Sequence, residues 1–299
     1  MRVKKTWKRV DGVLLLDKPI GLTSNDALQK ARRLFSAAKG GHTGTLDPMA
    51  TGLLPLCFGE ATKFSADLLD ADKTYEAILK LGVTTDSGDA EGQVIATATV
   101  NVENEQILKL LPSFTGPIQQ IPPMHSALKR NGRPLYELAR QGIEVEREPR
   151  DITIHAIELL SFAGDQLSLR VACSKGTYIR VLAADIGKAL GCGAHLIGLR
   201  RTKVGDLDLH NAVSLADLDA LDESARVAKL QAVDALLHSL PILSLEGESI
   251  DRFSHGNPVA LPEGLAGKIR VYADGQLIGV GEPGHDGRLW PRRLVQSAP

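Results

Sequence analysis

From Gly40 to Lys63 the chain reads Gly-Gly-His-Thr-Gly-Thr-Leu-Asp-Pro-Met-Ala-Thr-Gly-Leu-Leu-Pro-Leu-Cys-Phe-Gly-Glu-Ala-Thr-Lys, with five glycines and two prolines. Glycine and proline at that density break any helix. The segment is therefore expected to be a connection, too long for an ordinary turn and so more functional than structural. Within it, Asp47 is the single carboxylate between two Thr-Gly pairs, Thr43-Gly44 and Thr51-Gly52. Pro48 fixes a turn and removes an amide, which holds the carboxylate pointing away from the backbone. An isolated Asp-Pro is ordinarily a plain Asx turn; the flanking glycines point instead to close approach by a backbone or a ligand.

The surroundings alternate strand and helix signals. Gly12 to Leu16 reads as a buried strand ending at Asp17-Lys18-Pro19, with a turn at Gly21. A helix follows, capped by Ser24 and stopped by Gly40-Gly41. Ala27, Leu28, Ala31, Leu34 and Phe35 form its apolar stripe, and Lys30, Arg32 and Arg33 lie off that face. Residues 73–83 and 93–100 are predicted strands joined as a hairpin by the acidic loop Thr85 to Gly92. Ile107 to Leu111 is predicted helical, stopping at Pro112. Pro122 to Arg150, with few strand formers, is expected to be an insertion or long loop. Strands return at Ile152 to Leu160 and Leu167 to Ser174. Next come a helical stripe through Ile179, Leu182, Ile186 and Leu190, a strand near Leu196 to Gly205, and helices near 213–238. This order indicates an α+β or mixed fold. Near Leu240-Pro241 the texture changes to short strands and Gly-rich turns, and Asp274-Gly275 is a hairpin signal. The expected domains are 1–240, with the insertion at about 122–150, and a small β module at 241–299.

A length of 299 residues suits two domains at roughly 150 each. Apolar residues at 43% and charged residues at 24% exclude disordered and fibrous classes. The longest apolar runs, Val13 to Leu16 and Leu53 to Phe58, are too short to span a bilayer. Asp17 and Lys18 interrupt the run after the basic start, so no signal peptide is expected and the protein is read as cytoplasmic. Cys57, Cys173 and Cys192 are read as buried apolar residues, and the eight histidines lack a His-x-x-x-His pair, so no metal site is expected. The net charge of −1 hides an asymmetry. Residues 1–64 carry eleven Lys/Arg against five Asp/Glu, and residues 205–250 carry two against nine. One part of the fold is thus suited to face phosphates.

Tyrosine is scarce, at four residues. Tyr75 sits at a strand start beside Lys73. Tyr178 lies in Lys175-Gly-Thr-Tyr-Ile-Arg180, where a strand gives way to a helix, which brings an aromatic face and a guanidinium to one element terminus.

In combination these segments resemble the bacterial tRNA pseudouridine synthases that modify uridine 55 in the T loop, the TruB type. The match is carried, in family order over roughly residues 12–205, by Leu16-Asp-Lys18-Pro19-Ile-Gly21-Leu-Thr23-Ser24, Gly41 to Gly52 with Leu53-Leu54-Pro55, Lys73-Thr-Tyr75, Thr85 to Gly92, Pro122-Pro123-Met124 with Ser126-Ala127, Gly176-Thr-Tyr178-Ile-Arg180, and Leu199-Arg-Arg-Thr202 to Gly205. The tail, through its texture and Trp290-Pro-Arg-Arg-Leu-Val295, resembles the RNA-binding PUA module that often follows this catalytic domain. The resemblance implies a mixed, mostly antiparallel catalytic sheet with a thumb-like insertion, plus a small β-barrel-like domain. It also implies cofactor-free, metal-free isomerisation of uridine to pseudouridine in the tRNA T arm; no protein partner is implied, and a monomer is the default expectation.

The resemblance makes Asp47 the catalytic aspartate and Arg180 the arginine that pairs with it and fixes its direction. Whether Asp47 attacks C1′, takes a 2′ proton or attacks base C6 is left open. Tyr75 matches the tyrosine that stacks on the extruded base and is the candidate to help remove the C5 proton. Tyr178 and Leu199 match pocket-lining residues, and His42 a histidine that stacks in the T loop where uridine leaves it. Lys18, Lys129, Arg130 and Arg133 are the expected RNA contacts. One departure is visible: Thr85-Asp86-Ser87-Gly88-Asp89 stands where relatives often read Thr-Asp-Thr-x-Asp. Two other readings compete, an RNA-binding protein without turnover and a glycoside hydrolase. The latter usually needs two carboxylates flanking the bond, and here only Asp47 has motif support.

Overall fold

A computed structural model of the chain describes residues 6–296 except 127 and 131. Ala127 of the Ser126-Ala127 motif and the first five residues of the basic leader thus lie outside the described residues.

The first strand, β1 (Gly12–Lys18), is buried on both faces, as its unbroken apolar run requires. Val13 and Leu15 enter one core cluster with Phe64 and Leu237, while Leu14 and Leu16 enter another with Ala27, Ala31 and Phe35 of helix α1 (Ser24–Phe35). The cap of α1 is Thr23, not Ser24. Its hydroxyl accepts from the Asp26 amide, with Asp26 reaching back as a capping box. The helix stops at Ser36 in a left-handed conformation, four residues before Gly40.

Half of residues 40–63 is strand and the end is a 3-10 helix, rather than the expected connection. β2 (Gly40–His42) and β3 (Ala50–Phe58) pair with each other, so the irregular part shrinks to residues 43–49. Pro55 is tolerated inside β3 because its missing N–H falls in a gap. On that edge the ladder to a later strand ends at Gly52 and the ladder to β2 begins at Leu56.

β4 (Lys73–Leu81) lies in the same sheet. The expected hairpin is shorter than the sequence suggests, joining β5 (Val83–Thr85) to the exposed β6 (Val94–Thr97) beside the sheet. Helix α2 (Asn104–Leu110) precedes β7 (Gly116–Gln120). The 122–150 segment is not wholly loop: β8 (Lys129–Arg130) and β9 (Arg133–Pro134) form a small hairpin, and α3 (Leu135–Ala139) buries Leu135 and Leu138. β10 (Arg150–Ala163), β11 (Gln166–Cys173), α4 (Ile179–Ala189) and β12 (Ala194–Val204) follow, with β13 (Leu207–Asp208) and β14 (Val213–Ser214) completing the sheet.

The sheet order is β14-β1-β3-β12-β4-β11-β10-β7, with β2 on β3 and β13 on β12. Most pairs are antiparallel; β12 with β3 and β1 with β14 are parallel. Leu182, Ala183 and Ile186 of α4 pack on Leu79, Leu169, Val171 and Leu196 of the sheet.

A second sheet of order β15-β17-β18-β19-β16 comprises β15 (Ile242–Ser244), β16 (Val259–Ala260), β17 (Ile269–Ala273), β18 (Gln276–Pro283) and β19 (Arg288–Leu294). Asp274 (φ 49°) and Gly275 (φ 75°) make the β17–β18 turn, the two positive φ values that a type I′ hairpin needs. This sheet buries its own cluster around Phe253, Ile269 and Val271, and Val280 joins the cluster of β1.

Gly52 marks the tightest crossing in the main sheet. Its φ is 97°, and a Cβ there would stand 2.3 Å from the Arg201 carbonyl oxygen and 2.8 Å from its amide nitrogen. Gly52→Ala is therefore expected to cost more than about 1 kcal/mol, from strain and displacement together. Urea unfolding at constant m-value checks this.

Candidate active site

Residues 43–49 form a tight turn between β2 and β3, held from several directions. The Ser24 hydroxyl accepts from the Leu46 amide at 2.8 Å and donates to the Leu46 carbonyl at 3.1 Å. The Gly21 amide donates to the Pro48 carbonyl at 2.8 Å, and the Thr43 amide to that of Pro55 at 3.1 Å. Lys18, expected among the RNA contacts, is instead wholly buried at 0% exposure. Its ammonium donates to the Pro19 and Leu22 carbonyls at 2.9 and 2.6 Å and reaches that of Pro48 at 3.5 Å. A lysine beneath a sheet end has its charge spent on backbone carbonyls before any phosphate can use it. Burial lowers its pKa to about 8, with the Asp47 charge opposing the shift.

The turn presents Asp47 outward, its side chain 41% exposed. One carboxylate oxygen meets Arg180 Nη2 at 3.1 Å. Arg180 sits in the first turn of α4 and is 5% exposed. Its Nη1 lies 3.2 Å from Asp89, whose side chain is 4% exposed, and Nη2 donates to the His125 carbonyl at 2.7 Å. The two arms of the guanidinium thus face different carboxylates, one solvent-facing and one buried. Asp89 is itself held: its Oδ1 accepts from the Ser87 hydroxyl at 2.6 Å and from the Glu91 amide at 3.0 Å. Gly88 (φ 75°) lets this loop pass close to the Arg180 backbone.

Tyr178 is the N-cap of α4, and Gln120 holds it on both sides. The Tyr178 amide donates to Gln120 Oε1 at 3.0 Å, and Gln120 Nε2 donates back to the Tyr178 carbonyl at 3.4 Å. Tyr75 on β4 and Leu199 on β12 are both half-buried where two core clusters meet, with Met49 against one of them. Burial pushes both phenols up, Tyr75 and Tyr178 alike, so each stays protonated near neutrality. His42 ends β2 with Nδ1 buried and unpartnered among the described residues. Burial, and then the Arg201 charge, lower its pKa, so its ring is neutral near pH 7.

Asp47 pairs with Arg180, its charge reaches Tyr75 and Tyr178, and Leu199 packs beside Tyr75 at the edge of two core clusters, so these residues gather into one candidate cleft, with His42 just before the 43–49 turn. Lys129, Arg130 and Arg133 lie apart, exposed on the β8–β9 hairpin. Arg130 donates to the Glu146 carbonyl and Arg133 to Gln141 Oε1 at 3.3 Å, bonds within the insertion itself. Sequence reasoning missed Asp89, Gln120 and Arg201. Asp89 ends the noted Thr85 to Asp89 run, whose Ser87 hydroxyl and Gly88 serve its placement. Arg201 stands two residues after Leu199 on the same strand, a charge inside an apolar alternation. Gln120 carries no such signal.

Chemically, the cleft offers one accessible carboxylate aimed by a buried guanidinium, beside aromatic and aliphatic surface suited to a planar base. No group of His, Cys, Asp and Glu able to hold a metal occurs among the described residues. A separate cavity of about 520 Å³, lined by residues such as Asp67, Asp206, Leu236 and Lys268, shares no residue with the cleft.

Comparison with known proteins places the chain among relatives. Residues 32–179 match the TruB family pseudouridylate synthase (N terminal domain), 180–240 the tRNA pseudouridylate synthase B C-terminal domain, and 241–295 the Pseudouridine synthase II TruB, C-terminal family. It is 77% identical over 298 residues, 100% of both chains, to tRNA pseudouridine synthase B of Dechloromonas aromatica (strain RCB). It is 58% identical, over 96% of its own length and 94% of the other's, to the protein of that name from Aromatoleum aromaticum (strain DSM 19018 / LMG 30748 / EbN1). Among solved structures, an H/ACA RNP bound to a substrate RNA containing 2′-deoxyuridine superposes with a TM-score of 0.73 at 25% identity, covering 96% of this chain and 85% of that one.

The unequal burial of the two carboxylates predicts unequal costs. Asp89→Ala leaves the buried guanidinium half-paired and is expected to lower stability by about 3 kcal/mol. Asp47→Ala, at the exposed end, is expected to cost less than about 1 kcal/mol. Parallel denaturant unfolding of the two variants tests the difference.

Proposed function

The chain belongs to the TruB family of pseudouridylate synthases, and on that footing we propose that it converts uridine 55 in the tRNA T loop to pseudouridine. It is a tRNA pseudouridine synthase: uracil leaves its N1 bond to the ribose, turns, and is rejoined through C5. The observation that carries the site assignment is the solvent-facing Asp47 carboxylate aimed by buried Arg180. Asp47 is the catalytic group and Arg180 its orienting partner. Tyr75 stacks on the extruded base and takes part in removing the C5 proton, while Tyr178 and Leu199 wall the pocket. A neutral His42 suits stacking within the T loop, because a ring without charge loses little on leaving water.

Base extrusion costs a few kcal/mol of unstacking. Phosphate contacts from Lys129, Arg130 and Arg133 on the 122–150 insertion offset part of it, with the insertion closing on the RNA as a thumb. Residues 1–240 form the catalytic domain and 241–299 a PUA-like RNA-binding domain. The protein acts as a monomer on the T arm, without a cofactor. No helix among the described residues is long and apolar enough to cross a membrane, and the enzyme works in the cytoplasm. The hydrolase reading loses support because Asp89, the second carboxylate, is turned away from solvent and occupied by Arg180, Ser87 and Glu91.

Tritium release from tRNA transcript labelled at uridine C5 tests the assignment. Wild type is expected to release close to one tritium per tRNA without added metal or nucleotide. Asp47→Asn is expected to bind tRNA normally and release none. For the thumb, Arg130→Ala with Arg133→Ala is expected to weaken binding and reduce the slope of log affinity against log salt by roughly one to two. An unchanged slope removes the insertion from the contact surface.

A further inference from the structure

Arg201 is 1% exposed, and no ion pair within the described residues includes it. Water is displaced from this cation without a carboxylate in compensation, which is costly and makes the position a candidate for function. Its neighbours are informative. Across β12 and β4 it stands directly opposite Tyr75, and across β12 and β3 opposite Gly52, whose missing side chain leaves it room. From there Nε donates to the Leu53 carbonyl at 2.8 Å and Nη2 reaches the Gly44 carbonyl at 3.4 Å, while the guanidinium lies close enough to the cross-strand Tyr75 for its charge to act on the phenol. One side chain therefore joins the stacking tyrosine to the turn that carries Asp47.

We propose that Arg201 is a positioning residue for the isomerisation: from opposite Tyr75 it supplies the positive charge that lets this phenol pass through phenolate during the reaction. The inference rests on the function proposed above. Uridine and pseudouridine differ by one relocated proton, since N1 exchanges its ribose bond for hydrogen and C5 exchanges its hydrogen for ribose. When the N1–C1′ bond breaks, its electron pair stays on uracil, and a ring π pair later forms the C5–C1′ bond. A phenol that gives its proton to N1 and then takes the proton from C5, whose C–H pair returns to the ring, ends as it began and needs no other reactant. Burial opposes the phenolate and Arg201 favours it. The other groups acting on the phenol are Cys173 from β11 and Asp47 from the turn, and both disfavour phenolate, so Arg201 is the favourable partner. The Arg201 charge is also felt by Lys18, Lys73 and His42.

Two measurements on the full chain test this. The Tyr75 phenol is titrated by ultraviolet absorbance as the difference between wild type and Tyr75→Phe, and again in an Arg201→Gln pair. Arg201→Gln is expected to move the midpoint up by about one pH unit or more, because the charge favouring phenolate is gone. In single-turnover tRNA assays, Arg201→Gln is expected to slow tritium release at least about tenfold with tRNA affinity unchanged. Added to Tyr75→Phe it is expected to cost nothing further. If Arg201→Gln does not fold, Arg201→Lys, which keeps the charge and loses the planar fork, is expected to shift the midpoint less and retain more rate than removal of the charge would allow. An unmoved midpoint, or losses that multiply in the double variant, overturns the proposal. Failure of wild type to release tritium overturns the function it rests on, whereas the phenol titration decides the Arg201–Tyr75 coupling independently of any RNA.

Discussion

The Arg180 guanidinium is buried between two carboxylates that share it, and that pairing organises the cleft. A lone cation at this depth would be strongly penalised. Asp89 meets it from inside, fixed by Ser87 and by the Glu91 amide, and Asp47 meets it from the solvent side. Three separate chain segments, the 43–49 turn, the 85–92 loop and the start of α4, therefore have to converge. The inner pair anchors the arginine, and the outer carboxylate keeps lone pairs open to solvent while its direction is set from behind.

Beneath this arrangement lies a rigid sheet. β12 is placed between β3 and β4, and its alternation puts Leu199 and Arg201 on the same face, with Arg201 opposite Tyr75. Gly52 lets β3 and β12 approach where a side chain would collide with the Arg201 backbone. Lys18, Ser24 and Gly21 then stitch the Asp47 turn to the end of β1 and the start of α1. Side chains held by packed strands and backbone hydrogen bonds lose little entropy on meeting a ligand, which is what positioning contributes.

Much of the scaffold was legible because its signals are local. The unbroken apolar run of β1 indicated burial on both faces, the stripe of α1 its packing side, and Asp274-Gly275 its hairpin. The 40–63 segment misled for an equally local reason. Glycine and proline argue against regular structure, yet β3 accepts both, since Gly52 is required by a neighbouring strand and Pro55 falls between two ladders. Both facts concern partners distant in sequence, invisible to a propensity argument. Lys18 was misplaced similarly: a lysine beside a proline reads as surface until the fold turns it inward.

Sequence alone determined that this is an α+β chain with a distinct small β tail. It also singled out Asp47, Tyr75, Tyr178 and Arg180, because unusual residue types in unusual settings persist as motifs whatever the fold. Only the tertiary structure decided that Asp89 is the second partner of Arg180, that Gln120 clamps Tyr178, and that Arg201 stands opposite Tyr75 across two strands. Each of these depends on register between strands or on loops meeting across the sheet. A charge is read as surface or core by the company it keeps, and that company is set by long-range pairing rather than by neighbours along the chain.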